Sequence, residues 1–128
     1  MRKISGPLLI IIGILHTFYG LVGGWPVWVE IGRNGFFDTL GSAISRSTEI
    51  FWFTFAGPMY ILFGQLCLWV EREFNRPVPL FIAIELSILS FISAVLDLIT
   101  GFWLVLAVAI NMIIVAKRVS KSALPSAQ

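Results

Sequence analysis

The chain has 128 residues, of which 58% are hydrophobic and 12% charged, and it carries a net charge of +2. Its mean hydropathy is +0.92, more apolar than a water-soluble core of this size accounts for, and this predicts an integral membrane protein. The positive excess sits in the flanks of apolar stretches, where it attracts anionic lipid, so no nucleic-acid partner is implied.

The first apolar stretch runs from Pro7 to Trp28 behind Arg2 and Lys3. It is expected to stay in the protein rather than be cleaved as a signal peptide, because Trp25 and Pro26 follow Gly23 and Gly24 where a small-residue cleavage site would be needed. Gly13, Thr17, Gly20 and Gly24 recur at spacings of four, three and four and so share one face, the kind of small-residue stripe that lets helix backbones approach closely in lipid. His16, the only histidine, lies near the middle of this stretch, within about 60° of Gly13 and Gly20 on the helical wheel. It is read either as a neutral imidazole that fixes helix register through a hydrogen bond, or as a proton carrier, ligand or substrate contact.

A connection from Val29 to Thr48 follows. Phe36, Phe37, Leu40 and Ile44 are spaced for a short amphipathic helix in the headgroup plane, serving as a shield for helix ends or as a lid. Gly32, Gly35 and Gly41 leave its edges flexible.

The second stretch, Ile50 to Val70, is opened by Glu49 and carries Ala56, Gly57 and Gly64 as small residues, Pro58 as an expected kink, and Gln65. Cys67 is alone and allows no intramolecular disulfide. The third stretch, Pro79 to Leu98, has a small face of Ala83, Ser87, Ser90 and Ala94 that ends at Asp97, with Glu85 almost opposite. Thr100 and Gly101 fall in the short gap before the fourth, Phe102 to Ala116, so the two are expected as a tight antiparallel hairpin with Thr100 capping the last helix. That last stretch is short for a hydrocarbon layer roughly 30 Å thick.

Together these elements predict an all-α, integral membrane four-helix bundle forming one domain over residues 1–128, with the three small faces meeting at its centre. Arg2, Lys3, Arg72, Arg76, Lys117, Arg118 and Lys121 fall on one side and only Arg33 and Arg46 on the other, which places the N-terminus and C-terminus in the cytoplasm. Trp25, Trp28, Trp52 and Trp103 mark the outer headgroup region and Trp69 the inner one. The expected location is a bacterial cytoplasmic membrane.

Polar groups inside the spans are the functional candidates, because each costs on the order of a few kcal/mol at mid-bilayer unless satisfied. Glu49 and Asp97 are expected toward the outer side above His16, so that the three line an outward-facing polar pocket. Glu85 projects away from the small face, toward lipid or another subunit. Gln65 and Asn111 lie at a similar depth and are its expected hydrogen-bond partners, within a protomer or across a homo-oligomer interface. No phosphate loop, Ser or Cys catalytic constellation or multi-Cys metal site is present in the sequence, and one histidine is too few for a zinc site within a protomer.

The segment Gly13-Ile14-Leu15-His16-Thr17-Phe18-Tyr19-Gly20 and the run from Phe51-Trp52-Phe53 through Gly57 to Gly64 resemble those of a family of small bacterial four-span proteins of unknown function. The resemblance implies the topology and brings no activity with it. Three readings follow. One is a binding or accessory protein for a lipophilic molecule or a membrane partner. Another is a compact membrane enzyme using His16 as acid, base or ligand, with Glu49 or Asp97 orienting it. A haem-dependent form of that enzyme, similar in span count to styrene oxide isomerases, makes His16 an axial ligand, although no cofactor is called for by the residues themselves. The last is a proton-coupled exporter, since the span count resembles that of the small multidrug transporters, with Glu85 as the proton site.

Overall fold

A computed structural model of the chain describes residues 4–35, 46–96, 98 and 101–122. The described residues form helices only: α1 (Ser5–Gly23), α2 (Trp25–Arg33), α3 (Arg46–Glu73), α4 (Leu80–Leu96) and α5 (Phe102–Ser122). Three of them, α1, α3 and residues Phe102–Ser120 of α5, are long and apolar enough to cross a membrane. The fourth apolar helix, α4, has 17 residues, which gives it a length of about 26 Å.

The helix boundaries differ from the apolar stretches in ways that local chemistry explains. The first stretch is not one helix. It breaks at Gly24, and α2 begins with Trp25 and Pro26 in its first turn, where a proline lacks only an N–H that has no helical partner anyway. Gly20 O spans the break, accepting from the Gly24 N–H at 3.0 Å and from the Trp28 indole N–H at 3.3 Å. Helix α2 is short and amphipathic, with Val27 and Ile31 buried and Glu30 and Arg33 exposed. Phe36, Phe37, Leu40 and Ile44, expected to form such a helix, lie outside the described residues, as does Gly41.

Helix α3 runs through Pro58 without interruption, although the missing N–H leaves the carbonyl of Thr54 without its intrahelical donor. It ends before Asn75, which takes a left-handed conformation with φ of 48°, and the prolines at 77 and 79 prevent the helix from resuming before Leu80. Helix α4 stops at Leu96 and α5 starts at Phe102, so the third and fourth stretches form two helices. The Trp103 indole N–H donates to Leu98 O at 3.2 Å across that turn. Thr100, the expected cap, lies outside the described residues. Helix α5 continues past Ala116 to Ser122 and has 21 residues, so the last apolar segment is long enough after all and α4 is the shorter partner.

The closest helix pairs are α1 with α3 and α4 with α5, and α1 also meets α5. Helix α1 runs antiparallel to α3: Gly6 stands against Gly64, Gly13 against Gly57, and Gly20 against Thr54. Each step along α1 is seven residues; on α3, running the other way, the step from Gly64 to Gly57 is seven and that from Gly57 to Thr54 is three, spacings that keep one face of each helix toward the other. A Cβ on Gly6 would lie 2.8 Å from Gly64 O, and one on Gly64 the same 2.8 Å from Gly6 O, so neither position has room for a side chain. Thr17 and Thr54 stand in this seam with their hydroxyls donating to their own helix, to Gly13 O at 2.8 Å and to Ile50 O at 2.7 Å. They therefore pack as small residues without calling for a partner across the interface.

The small face of α4 does not join that seam. Ala83, Ser90 and Ala94 are buried and α4 meets only α5 among the described helices, so the three small faces form two separate interfaces instead of one centre. Side chains nevertheless share a core, in which Leu9, Cys67, Ala83, Val105, Val108 and Met112 cluster with Val78 of the α3–α4 connection. The side of the molecule where α1 begins and α3 ends is called basal below, and the side of the α1–α2 break apical.

Candidate functional site

His16 lies on α1 three residues past Gly13, beside the glycine seam and half-buried. Its ring stacks on Phe53 of α3 with centroids 4.0 Å apart and planes 26° from parallel. Tyr60, two turns further along α3, meets it edge-on at 6.0 Å. Tyr19 packs edge-on against the same Phe53 at 5.9 Å. The histidine is thus held by aromatic faces of α3, and the close Gly13/Gly57 approach is what brings α3 within reach of it.

Below and beside this stack an open groove of about 550 Å³ runs along α3, lined by Trp52, Phe55, Ala56, Met59, Tyr60 and Phe63. Its volume lies in the range that takes a small lipophilic molecule. It is open because no described helix packs on that face: α3 meets only α1 and α2 among them. Asn111 Nδ2 donates to Ser5 Oγ at 3.3 Å, which places Asn111 level with the start of α1. Asn111 lies about 14 Å along α5 from Phe102, so α5 begins about level with residue 14 of α1. The apical parts of α1 and α3 stand clear of it, and Phe18, Tyr19, Trp52 and Phe55 are exposed there.

The other candidates are distributed as follows. Glu49 is in the first turn of α3 with its side chain exposed, where the helix dipole favours a carboxylate. Asp97 lies outside the described residues. Glu85 is exposed on α4, on the side away from Ala83 and Ser90. Gln65 is exposed on α3. Asn111 turns to Ser5, a residue only 1% exposed, and not to Glu85. Of the packing glycines, Gly13, Gly20, Gly57 and Gly64 stand in the α1–α3 seam, and Gly24 packs against Ile50 at its apical end. Among the described residues no three His, Cys, Asp or Glu side chains are grouped for a metal ion.

Two polar residues at the basal end did not stand out in the sequence. Ser5 was hidden because it precedes the apolar run, yet it caps the α1–α5 contact. Glu71 follows the second apolar stretch and reads there as a solvated flank, but it is only 5% exposed. A signal for it exists: Gly57, Gly64 and Glu71 are spaced by sevens, so Glu71 continues the α1-facing line of α3 by one more heptad. Gly6 similarly extends the Gly13 and Gly20 line at the start of α1.

No curated protein and no solved structure matches the chain. Residues 1–119 match DUF6463, a family of unknown function, and the chain belongs to that family.

Proposed function

We propose that this is a four-span, single-domain protein of a bacterial cytoplasmic membrane that binds a lipophilic molecule at the aromatic face around His16. The observation that carries the reading is the stacking of the His16 ring on Phe53 at 4.0 Å, next to a groove of about 550 Å³ whose lining is aromatic and aliphatic. Such a face offers dispersion contacts along a flat apolar body, while the imidazole and the Tyr60 hydroxyl offer hydrogen bonds at one point. That combination of a large apolar surface with few convergent polar groups is the usual make-up of a small-molecule site. Lipid is the competing occupant, and specificity would come from the two polar groups.

Three helices of membrane-crossing length support the location; α4, at 17 residues, is the fourth span in this reading, fitted by modest local thinning. The seven-to-two distribution of Lys and Arg supports cytoplasmic termini. The ring neighbours of His16 are Phe53 and Tyr60, which favours binding over acid–base chemistry, where a carboxylate commonly orients the imidazole.

Native mass spectrometry of the protein released from gentle detergent tests the reading. A reproducible non-lipid adduct is expected, lost in His16→Ala and weakened in Tyr60→Phe, and its mass gives the chemical class of the ligand. Bare subunits carrying only bulk phospholipid, in the wild type as in His16→Ala, would overturn it.

A further inference from the structure

The exposed face of α4 carries a second pattern that the fold within one chain leaves unused. Phe81, Glu85, Ile88, Ile92 and Val95 follow one another at spacings of four, three, four and three, the alternation of a helix seam that packs against another helix with a small left-handed crossing. This line lies opposite Ala83, Ser90 and Ala94, which are buried. Its apolar members are between 50% and 61% exposed, and Glu85 is exposed among them.

We propose that this face of α4 packs against the same face of a second copy of the chain, in a parallel pair that brings the two Glu85 side chains together. Glu85 stands about 8 Å along α4 from Leu80, inside the hydrocarbon once α4 spans the membrane. A lone carboxyl there is costly against lipid tails, which offer no hydrogen bond. A symmetric parallel pair supplies a second carboxyl at the same depth by symmetry alone, and two carboxyls that retain at least one proton hydrogen-bond each other. A single polar residue on an otherwise apolar seam also fixes its register, because any axial slip separates the pair. Within the chain Asn111 turns to Ser5, at 3.3 Å, and not to Glu85.

The inference rests on α4 spanning the membrane but is independent of the ligand site at His16. Single cysteines placed in turn from Phe81 to Val95, in a Cys67→Ala background, are oxidised in native membranes. Disulfide-linked product of twice the 14.3 kDa chain mass is expected to peak at Phe81→Cys, Ile88→Cys, Ile92→Cys and Val95→Cys, severalfold above Ala83→Cys and Ser90→Cys. Adding Glu85→Ala to Ile88→Cys is expected to lower the yield severalfold, and adding Glu85→Gln to preserve it, because an amide also pairs with itself. A flat, low yield in membrane-integrated protein overturns the proposal, as does adduct to a different protein at the seam positions, or a yield indifferent to Glu85→Ala. Release of the chain from membranes by alkaline carbonate would instead overturn the spanning reading itself.

Discussion

Gly13 and Gly57 face each other so closely that a Cβ on Gly13 would lie 2.6 Å from the Gly57 carbonyl oxygen, and one on Gly57 2.7 Å from the Gly13 carbonyl oxygen. The relation is reciprocal and involves backbone on both sides, so no side-chain rotation relieves it. In lipid, helices gain little from hiding apolar surface, and their association rests on close van der Waals contact and interhelical hydrogen bonds. The seam is therefore what holds α3 at the distance from which Phe53 and Tyr60 reach His16.

Widening that seam is expected to destabilise the fold and loosen the histidine together. Gly13→Leu or Gly57→Leu forces the axes apart and should cost at least the roughly 1–3 kcal/mol of ordinary overpacking. Gly23 is the control on the same helix, since its Cβ would approach nothing nearer than 4.0 Å. Gly23→Ala should be neutral or stabilising by up to about 1 kcal/mol from helix propensity. Denaturation in mixed micelles, followed by circular dichroism, separates the two classes. Equal effects at Gly13 and Gly23 would mean that the seam is not closely packed.

Much of this arrangement is legible in the sequence because it follows from local periodicity. The apolar runs locate α1, α3, α4 and α5, and the small residues at Gly13, Gly20, Gly57 and Gly64 mark the faces that meet. Depth relations between helices are another matter. The Ser5–Asn111 bond joins residues 106 apart in sequence, and nothing in either helix alone states that α5 is set low against α1. Trp52 and Phe55 are exposed on a face of α3 that no described helix covers. The α1 break is hidden for a different reason: Trp25 and Pro26 extend an apolar run, and hydropathy does not register the end of a helix. The burial of Glu71 is not legible either, because a charge beside an apolar stretch normally lies in solvent.

Stacking on Phe53 gives His16 a spectroscopic signature. With ring centroids 4.0 Å apart and planes 26° from parallel, the imidazole protons sit over the face of a benzene ring and should resonate upfield of those in a free histidine. As the chain has a single histidine, selective labelling gives one unambiguous set of signals. Phe53→Leu is expected to move them downfield, whereas Phe91→Leu, on the exposed face of α4, should leave them in place. Indifference to Phe53→Leu would remove the stack and, with it, the observation on which the proposed ligand site stands.

The charge asymmetry yields an orientation that thiol labelling can read. Asn34 and Ser120 are both exposed, Asn34 just beyond α2 and Ser120 near the end of α5. A membrane-impermeant maleimide should modify Asn34→Cys in intact spheroplasts and Ser120→Cys only after permeabilisation. Cys67 itself is 3% exposed and should stay unmodified until the protein is unfolded, so it serves as an internal control. The reverse order of labelling would refute cytoplasmic termini.

The Ser5–Asn111 hydrogen bond ties α1 to α5 and sets the depth of one helix against the other. Hydrogen bonds between membrane helices contribute about 0.6 kcal/mol on average and rarely more than about 2 kcal/mol. Ser5 is buried and Asn111 half-buried, so removing either one alone strands a polar group and should cost more than the bond itself returns. A double-mutant cycle with Ser5→Ala and Asn111→Ala is therefore expected to be non-additive, the second substitution costing less once the first is made. Additive losses would mean that the two side chains act independently. The register of α5 against α1 would then rest on the apolar core that Leu9 of α1 shares with Val105, Val108 and Met112 of α5.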